Sequence, residues 1–154
     1  MKKECLTTDY TLFESIDELS ENDKELVSAA EAARMKSYSP YSRFKVGAAI
    51  RTKDGTIIHG ANQENAAYPS GLCAERTALF ACGMQSSEPL TMAVVARNER
   101  GEAASAYPCG ACRQVMSETE KRYGCELSVI VGLKGGRYAK FSSVSALLPF
   151  EFEI

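Results

Sequence analysis

The sequence is poor in three features that would each have indicated a definite class of protein. It has one histidine in 154 residues, no apolar run long enough to span a membrane, and no excess of basic residues. Because 18 Lys and Arg stand against 20 Asp and Glu, the net charge is −2. The sequence therefore gives no electrostatic reason to expect a nucleic-acid partner and no reason to expect a membrane partner.

Disulfides are also not expected, although the chain contains six cysteines. A chain of this size buries about 70% of its unfolded surface and does not need disulfide bonds for stability. The first residues, Met1 to Thr7, contain no apolar core of signal-peptide length. The sequence therefore predicts free thiols and a location in the reducing cytoplasm.

Half of the cysteines fall in two motifs, Cys-Ala-Glu at 73–75 and Pro-Cys-Gly-Ala-Cys at 108–112. A catalytic zinc keeps three protein ligands and leaves the fourth tetrahedral position open for water, whose pKa the metal lowers toward neutrality. The predicted ligands are Cys73, Cys109 and Cys112. Glu75, two residues beyond the first ligand, can carry the protons. These two motifs together are typical of zinc-dependent nucleobase deaminases.

Both motifs are predicted to lie at the N-termini of helices. Pro108 suits the first turn of a helix, and Cys109 and Cys112, three residues apart, then share one helical face. Free N–H groups and the helix dipole favour thiolates at such ends. Three thiolates and Zn²⁺ leave one net negative charge, which Arg76 and Arg113 stand close enough in sequence to offset.

A structural zinc site or inert buried thiols are the alternatives. A structural site normally has four Cys or His ligands. The only histidine, His59, is interpreted as an ordinary strand-end residue, and Cys5, Cys82 and Cys125 each lack a partner at ligand spacing. The catalytic interpretation is favoured because an open fourth position and Glu75 occur together.

The order of predicted elements indicates an N-terminal extension of unknown role over residues 1–19, with a short strand at 10–14, and a single zinc-dependent deaminase domain over 20–154. The elements of that domain are a helix capped by Ser20 that ends before Pro40, strands at 45–51 and 56–60, the first metal helix, a strand at 91–96, the second metal helix, a strand at 127–133 and a short helix at 144–148. This alternation predicts a three-layer α/β/α fold with a mixed central sheet and zinc at the carboxyl edge of the strands.

Between Ser20 and Phe152 the chain resembles the small homotetrameric type of zinc-dependent cytidine deaminase. Five ordered motifs carry the resemblance: residues 41–49, 62–68, 73–78, 108–114, and Leu-Leu-Pro at 147–149 followed by Phe152. It implies a cytidine deaminase-like fold with one Zn²⁺ per chain. It also implies hydrolytic deamination of cytidine and 2′-deoxycytidine to uridine and 2′-deoxyuridine with release of ammonia, as in pyrimidine salvage.

The resemblance also implies how the nucleoside is held. Phe44 would pack on the pyrimidine, and Asn62 and Glu64 would hydrogen-bond the ribose hydroxyls. The backbone N–H of Ala74 would meet the base O2. Gln63 stands where an aliphatic residue is commoner in the family.

By the same resemblance, Glu75 would be the proton shuttle and Arg76 would hydrogen-bond the ligand thiolates. Glu75 would take a proton from zinc-activated water, deliver it to N3 and help ammonia leave from C4. Phe152, by its distance from Pro149, would reach the active site of a neighbouring subunit in a homotetramer. The alternative is that the tail folds back and covers Phe150 and Phe152 on its own subunit.

Rival functions differ from this one at identifiable residues. A blasticidin S-type deaminase resembles the chain at the metal motifs but differs at the nucleoside loop, where Asn62 and Glu64 favour an ordinary nucleoside. A nucleotide or RNA-editing deaminase would be expected to show phosphate-binding basic residues, and commonly a His ligand. A zinc-stabilised interaction module without catalysis predicts that Glu75 is dispensable.

Overall fold

In the computed structural model, which describes residues 1–152, a seven-stranded mixed sheet forms the centre of the molecule. The strands are β1 Thr11–Phe13, β2 Lys45–Thr52, β3 Ile57–Ala61, β4 Pro89–Arg97, β5 Ala103–Ala104, β6 Ser128–Gly132 and β7 Tyr138–Phe141. Their order is β1-β7-β6-β4-β2-β3, with β5 paired to β4. The pair β4 and β6 is parallel and the others are antiparallel, so the predicted mixed sheet is confirmed.

Helices cover both faces of this sheet. They are α1 Glu21–Arg34, α2 Ala74–Met84 and α3 Gly110–Tyr123. Side chains of β4 alternate between the two layers: Met92 and Val94 pack in the cluster that contains α2 and α3 residues, whereas Ala93 and Val95 pack with α1 residues. The predicted three-layer α/β/α arrangement is therefore confirmed.

The ends of α1 and the hairpin follow the local sequence signals. The Ser20 hydroxyl accepts the backbone N–H of Asp23 at 3.2 Å, which satisfies one of the free donors at the helix start. The helix ends at Arg34, before Pro40. The strands β2 and β3 pair antiparallel as predicted.

Three parts of the fold differ from the sequence prediction. The strands β5 and β7 were not predicted, because two and four residues give too short a pattern to recognise. The predicted helix at 144–148 is only a 3₁₀ turn over Val144–Ala146. Other 3₁₀ turns lie at Ile16–Glu18, Tyr68–Ser70 and Lys134–Gly136.

Residues 10–19 pack against the sheet, whereas residues 1–9 are exposed. The strand β1 pairs antiparallel with β7, and the ring of Tyr10 stacks on Phe141 with 5.4 Å between centroids. Leu19 is buried in the α1 layer, against which Phe13 and Ile16 also pack. Within residues 1–152, no helix is both long enough and apolar enough to cross a membrane.

Candidate metal centre and substrate pocket

The three cysteines of the two motifs meet in space. The sulfur atoms of Cys73, Cys109 and Cys112 all lie within 4.8 Å of one another. The distance from Cys73 Sγ to Cys109 Sγ is 4.0 Å, and that from Cys109 Sγ to Cys112 Sγ is 3.5 Å. Tetrahedral Zn–S bonds of about 2.3 Å separate two sulfurs by about 3.8 Å. The observed spacing therefore fits one zinc ion.

Helix starts position these thiols. Cys73 is the N-cap of α2 and Cys109 the N-cap of α3, and neither sulfur makes a capping hydrogen bond to the backbone of its helix, so both can face an ion. The prediction that Pro108 lies in the first turn of the helix is wrong. The first helical bond runs from the N–H of Arg113 to the carbonyl of Cys109, and Pro108 precedes the N-cap.

The two arginines near the motifs have different partners. Arg76 Nη2 lies 3.8 Å from Cys73 Sγ, and Arg76 Nε is buried without a hydrogen-bond partner among the described residues. Arg113 instead donates to the carbonyls of Pro108 and Leu147, both at 2.8 Å. Its hydrogen bonds thus go to carbonyl groups, and its part in offsetting the thiolate charge stays a prediction. Its guanidinium braces the backbone beside Cys109 against the C-terminal segment.

Hydrogen bonds favour the ionised form of the Cys73 thiol. The hydrogen bond from Cys112, supported by those from Arg76 and Cys109, lowers the pKa of Cys73 to about 5 although burial opposes ionisation. The same contact with Cys73, together with burial, raises the pKa of Cys112. Cys73 thus presents a negative charge at neutral pH, which a divalent cation would neutralise.

Glu75 lies beside the thiols and is buried, with 5% of its surface exposed. Burial, supported by the charge of Cys73, raises its pKa to about 7. A carboxyl group with a pKa near the operating pH can both accept and release a proton, which general acid–base catalysis requires.

A cavity of about 550 Å³ opens in front of this group. Its volume lies within the usual range for small-molecule sites. Five of the sequence-predicted site residues line it besides the metal motif residues Cys73, Arg76 and Cys109: Phe44, Asn62, Glu64, Ala74 and Glu75. The remaining predicted residues, Cys112 and Phe152, do not line it.

The sheet explains why the cavity forms at this place. Because β3 and β4 both run antiparallel to β2, their carboxyl ends lie beside the start of β2. Phe44 directly precedes β2 and Asn62 directly follows β3. The predicted location at the carboxyl edge of the strands is confirmed.

The side chain of Asn62 is fixed by hydrogen bonds to neighbouring segments of the protein. Its Oδ1 accepts the Ser37 hydroxyl at 2.5 Å and the backbone N–H of Val46 at 2.9 Å, and its Nδ2 donates to the carbonyl of Phe44 at 2.9 Å. Next to it, Gln63 Nε2 donates to the carbonyl of Lys36 at 3.2 Å. Asn62 thus organises the strand ends around the cavity.

Glu64 is also tied to the segment that leads into β2. Its carboxylate accepts the backbone N–H groups of Tyr41 at 2.9 Å and Ser42 at 3.2 Å, and the Ser42 hydroxyl as well. These hydrogen bonds lower the pKa of Glu64, and the bond from the Ser42 hydroxyl has the largest effect. Sequence reasoning missed Ser37 and Ser42, and only the position of Ser42 two residues before Phe44 could have indicated it.

The C-terminal segment is anchored to α3 while its aromatic rings stay exposed. The side chain of Gln114 exchanges two hydrogen bonds with the backbone of Phe152, and Glu151 accepts the Ser117 hydroxyl. Phe150 is nevertheless 85% exposed and Phe152 68% exposed. The tail therefore does not bury these rings against its own chain.

Known proteins are similar to this chain in sequence and in fold. Residues 20–125 match the family described as the cytidine and deoxycytidylate deaminase zinc-binding region. A cytidine deaminase of Halalkalibacterium halodurans is 44% identical over 128 residues, which are 82% of this chain and 91% of that protein. A cytidine deaminase of Sporosarcina psychrophila is 42% identical over 135 residues, 84% of this chain and 90% of that protein.

Solved structures give the same result. The crystal structure of cytidine deaminase from Burkholderia pseudomallei superposes with a TM-score of 0.73 at 42% identity, covering 87% of this chain and 100% of that chain. The cytidine deaminase from Mycobacterium tuberculosis superposes with a TM-score of 0.67 at 31% identity, covering 88% of this chain and 100% of that chain.

The chain belongs to the cytidine deaminase family. It is a zinc-dependent deaminase with the α/β fold of that family. The group of three cysteines is consistent with one zinc ion per chain.

Proposed function

We propose that this enzyme deaminates cytidine and 2′-deoxycytidine hydrolytically to uridine and 2′-deoxyuridine, with release of ammonia, in pyrimidine salvage. One observation carries the proposal. A single cavity is lined by the buried Glu75, by two of the three clustered thiols, and by Phe44, Asn62 and Glu64. A group that moves protons and groups that can hold a base and a sugar thus share one site.

Cys73, Cys109 and Cys112 would hold the zinc ion. When bound, zinc supplies the positive charge that lowers the pKa of an attacking water toward neutrality. Arg76, 3.8 Å from Cys73 Sγ, reduces the net negative charge of three thiolates. A less negative ligand set favours loss of a proton from water.

Glu75 is proposed as the residue that moves protons. As a carboxylate it takes a proton from the attacking water, whose oxygen forms a bond to C4 of the pyrimidine. As a carboxylic acid it delivers that proton to N3. It then transfers the second water proton to the amino group, so that the C4–N bond breaks and ammonia leaves. Burial raises the pKa of this carboxyl group, which favours the protonated form that delivers the protons.

The remaining lining residues are proposed to position the substrate. The ring of Phe44 packs on the pyrimidine, and the N–H of Ala74, in the first turn of α2, donates to the base O2. Of the two Nδ2 hydrogens of Asn62, one is donated to the Phe44 carbonyl, which leaves the other for a ribose oxygen. Glu64 accepts from a ribose hydroxyl.

We also propose a homotetramer in which Phe152 of one subunit completes the pocket of its neighbour. The anchored backbone and exposed ring of Phe152 support this arrangement, because an exposed aromatic side chain gains by burial at a subunit interface. Residues 20–154 are proposed as the deaminase domain, with residues 1–19 as an addition to its sheet edge. The free thiols suit the reducing cytoplasm.

A panel of substrates tests the proposed activity. Purified zinc-loaded protein is assayed by the loss of cytosine-ring absorbance with cytidine, 2′-deoxycytidine, their monophosphates and cytosine. The two nucleosides should be turned over efficiently. The monophosphates should be poor substrates, because Glu64 would repel a phosphate near the sugar. Equal turnover of the monophosphates would instead indicate a nucleotide deaminase.

The variant Glu75→Gln separates catalysis from a purely structural zinc site. It should retain zinc and fold but lose roughly 10²–10⁴-fold in kcat, the usual contribution of general acid–base catalysis. An interaction module without catalysis would show no turnover in either protein. Near-normal turnover by Glu75→Gln would contradict the proposed proton transfers.

A further inference from the structure

We infer that Ser42 is a positioning residue for the substrate: its hydroxyl holds the Glu64 carboxylate and the backbone of Phe44 in one fixed arrangement. The inference rests on the proposed function, because it concerns how a nucleoside is held. It adds a residue that lines the same cavity and that acts through two other lining residues, Glu64 and Phe44.

The Ser42 side chain bridges the two residues directly. Its Oγ donates to Oε1 of Glu64 and accepts the backbone N–H of Phe44 at 3.0 Å. Oε2 of Glu64 accepts the N–H groups of Tyr41 and Ser42. Two adjacent residues therefore provide three donors to one carboxylate.

These bonds leave the carboxylate with a defined remaining capacity. A carboxylate has two oxygens with about four acceptor positions. Three are used, so the free position is on Oε1, the oxygen that the Ser42 hydroxyl contacts. Ser42 thus directs the acceptor that a sugar hydroxyl would meet. Because the pKa of Glu64 is lowered, the group stays an acceptor through the neutral range.

The segment at 39–44 depends on such side-chain bonds for its shape. It forms no helix or strand before β2, and Arg43 within it has a φ of 56°, a left-handed conformation that is unfavourable for a residue with a Cβ atom. The backbone offers one internal bond, from the N–H of Arg43 to the carbonyl of Ser39 at 3.1 Å. The Ser42 hydroxyl fixes Phe44 immediately after the strained residue.

The test uses Ser42→Ala, the conservative variant Ser42→Thr, and Ser39→Ala as the matched control. The Ser39 hydroxyl lies in the same segment and contacts Ser37 Oγ at 3.1 Å, as the donor, because Ser37 donates its one proton to Asn62. Among the described residues it makes no hydrogen bond to Glu64 or Phe44. Zinc content and thermal unfolding show whether each variant is folded. KM and kcat are measured with cytidine and with 2′,3′-dideoxycytidine, which lacks the 2′- and 3′-hydroxyls and keeps the 5′-hydroxyl. Titration calorimetry with uridine gives a binding constant that does not depend on turnover.

Ser42→Ala should raise KM for cytidine, and Kd for uridine, roughly tenfold, the order expected for weakening one hydrogen bond to a charged group, with kcat changed less than about threefold. Ser42→Thr should recover most of this loss, and Ser39→Ala should behave as wild type. With 2′,3′-dideoxycytidine, the rise in KM caused by Ser42→Ala should be clearly smaller, at most about twofold, because Glu64 then has no 2′- or 3′-hydroxyl to accept and only the effect through the Phe44 backbone remains.

An equal rise in KM for cytidine and its dideoxy analogue would overturn the inference, since the effect would not pass through Glu64. An unchanged KM for cytidine would also overturn it. Adding Ser42→Ala to Glu64→Ala should produce little further loss, and a full additional tenfold loss would refute the proposed route. Wild-type protein that neither turned over cytidine nor bound uridine would overturn the proposed function itself, together with this inference.

Discussion

The substitution Gly60→Ala tests how the sheet positions the metal motif. Gly60 lies in β3, under the first turns of α2. A Cβ atom at Gly60 would stand 2.4 Å from the carbonyl oxygen of Ala74 and 2.5 Å from the backbone nitrogen of Ala78. Both atoms belong to the helix backbone, so no side-chain rotation relieves the clash. The helix itself must move outward.

The size of that movement predicts the effect. Ordinary C···O contacts are about 3.3–3.6 Å, so α2 must shift by about 1 Å at this point. Overpacking of this kind costs about 1–3 kcal/mol of stability. Cys73 and Glu75 flank Ala74 and must shift with it. Metal–ligand distances tolerate only about 0.2 Å, and a 1 Å misplacement of reacting groups can reduce the rate roughly 10²-fold.

The assay compares zinc retention against a chelator, kcat and thermal unfolding. Gly60→Ala should lose zinc faster and retain little activity even at temperatures where it is fully folded. Gly110→Ala is the first control, since a Cβ there meets nothing within 4 Å although the residue adjoins Cys109. Gly47→Ala is the second. Its Cβ would stand 2.1 Å from the carbonyl of Ala30 in α1, so it should destabilise the protein from the opposite face of the sheet. Wild-type zinc retention and kcat in Gly60→Ala would refute the reasoning.

Three further predictions concern the metal, the tail and pH. Substitution of any clustered cysteine by Ala should release zinc, as metal analysis would show; these are Cys73, Cys109 and Cys112. The same substitution at Cys5, Cys82 or Cys125 should leave one zinc ion bound per chain. Deleting residues 150–154 should raise KM more than it lowers zinc content, and an active monomer by light scattering would contradict the shared pocket. In zinc-free protein, burial raises the pKa of Glu75 from 4.5 to about 7. The stability that this raised pKa gives the folded protein, relative to high pH, is complete below pH 4.5 and is lost as the pH rises through 7. The free energy of unfolding of zinc-free Glu75→Gln, measured in urea relative to wild type, should therefore rise between pH 5 and pH 8. A difference in unfolding free energy that did not change with pH would contradict the assigned pKa.

Several features follow from the sequence by itself because their causes are local. Cys73 and Glu75 lie within one helical turn, and so do Cys109 and Cys112, so that each pair can serve one site at almost any position in a fold. The Ser20 cap likewise needs only the N–H of a residue three positions later. The alternation of strands and helices predicts the three layers, because each apolar face must be covered.

Other features required the tertiary structure. Thirty-six residues separate Cys73 from Cys109, and only the packing of α2 and α3 against one sheet face brings their sulfurs to 4.0 Å. The partners of Arg113 could not be predicted from its sequence neighbours, because one of them, the carbonyl of Leu147, belongs to a distant segment.

The acidity of the site was also decided in three dimensions. The sequence placed a carboxyl group at Glu75, but its raised pKa comes from burial, which depends on residues from several elements. The bonds that fix Glu64 come from Ser42, 22 residues away along the chain. The sequence thus determined which chemical groups are available and which residues within one helical turn point to the same side. The order of strands in the sheet determined which distant groups meet and which are removed from water, because those contacts depend on how separate elements pack.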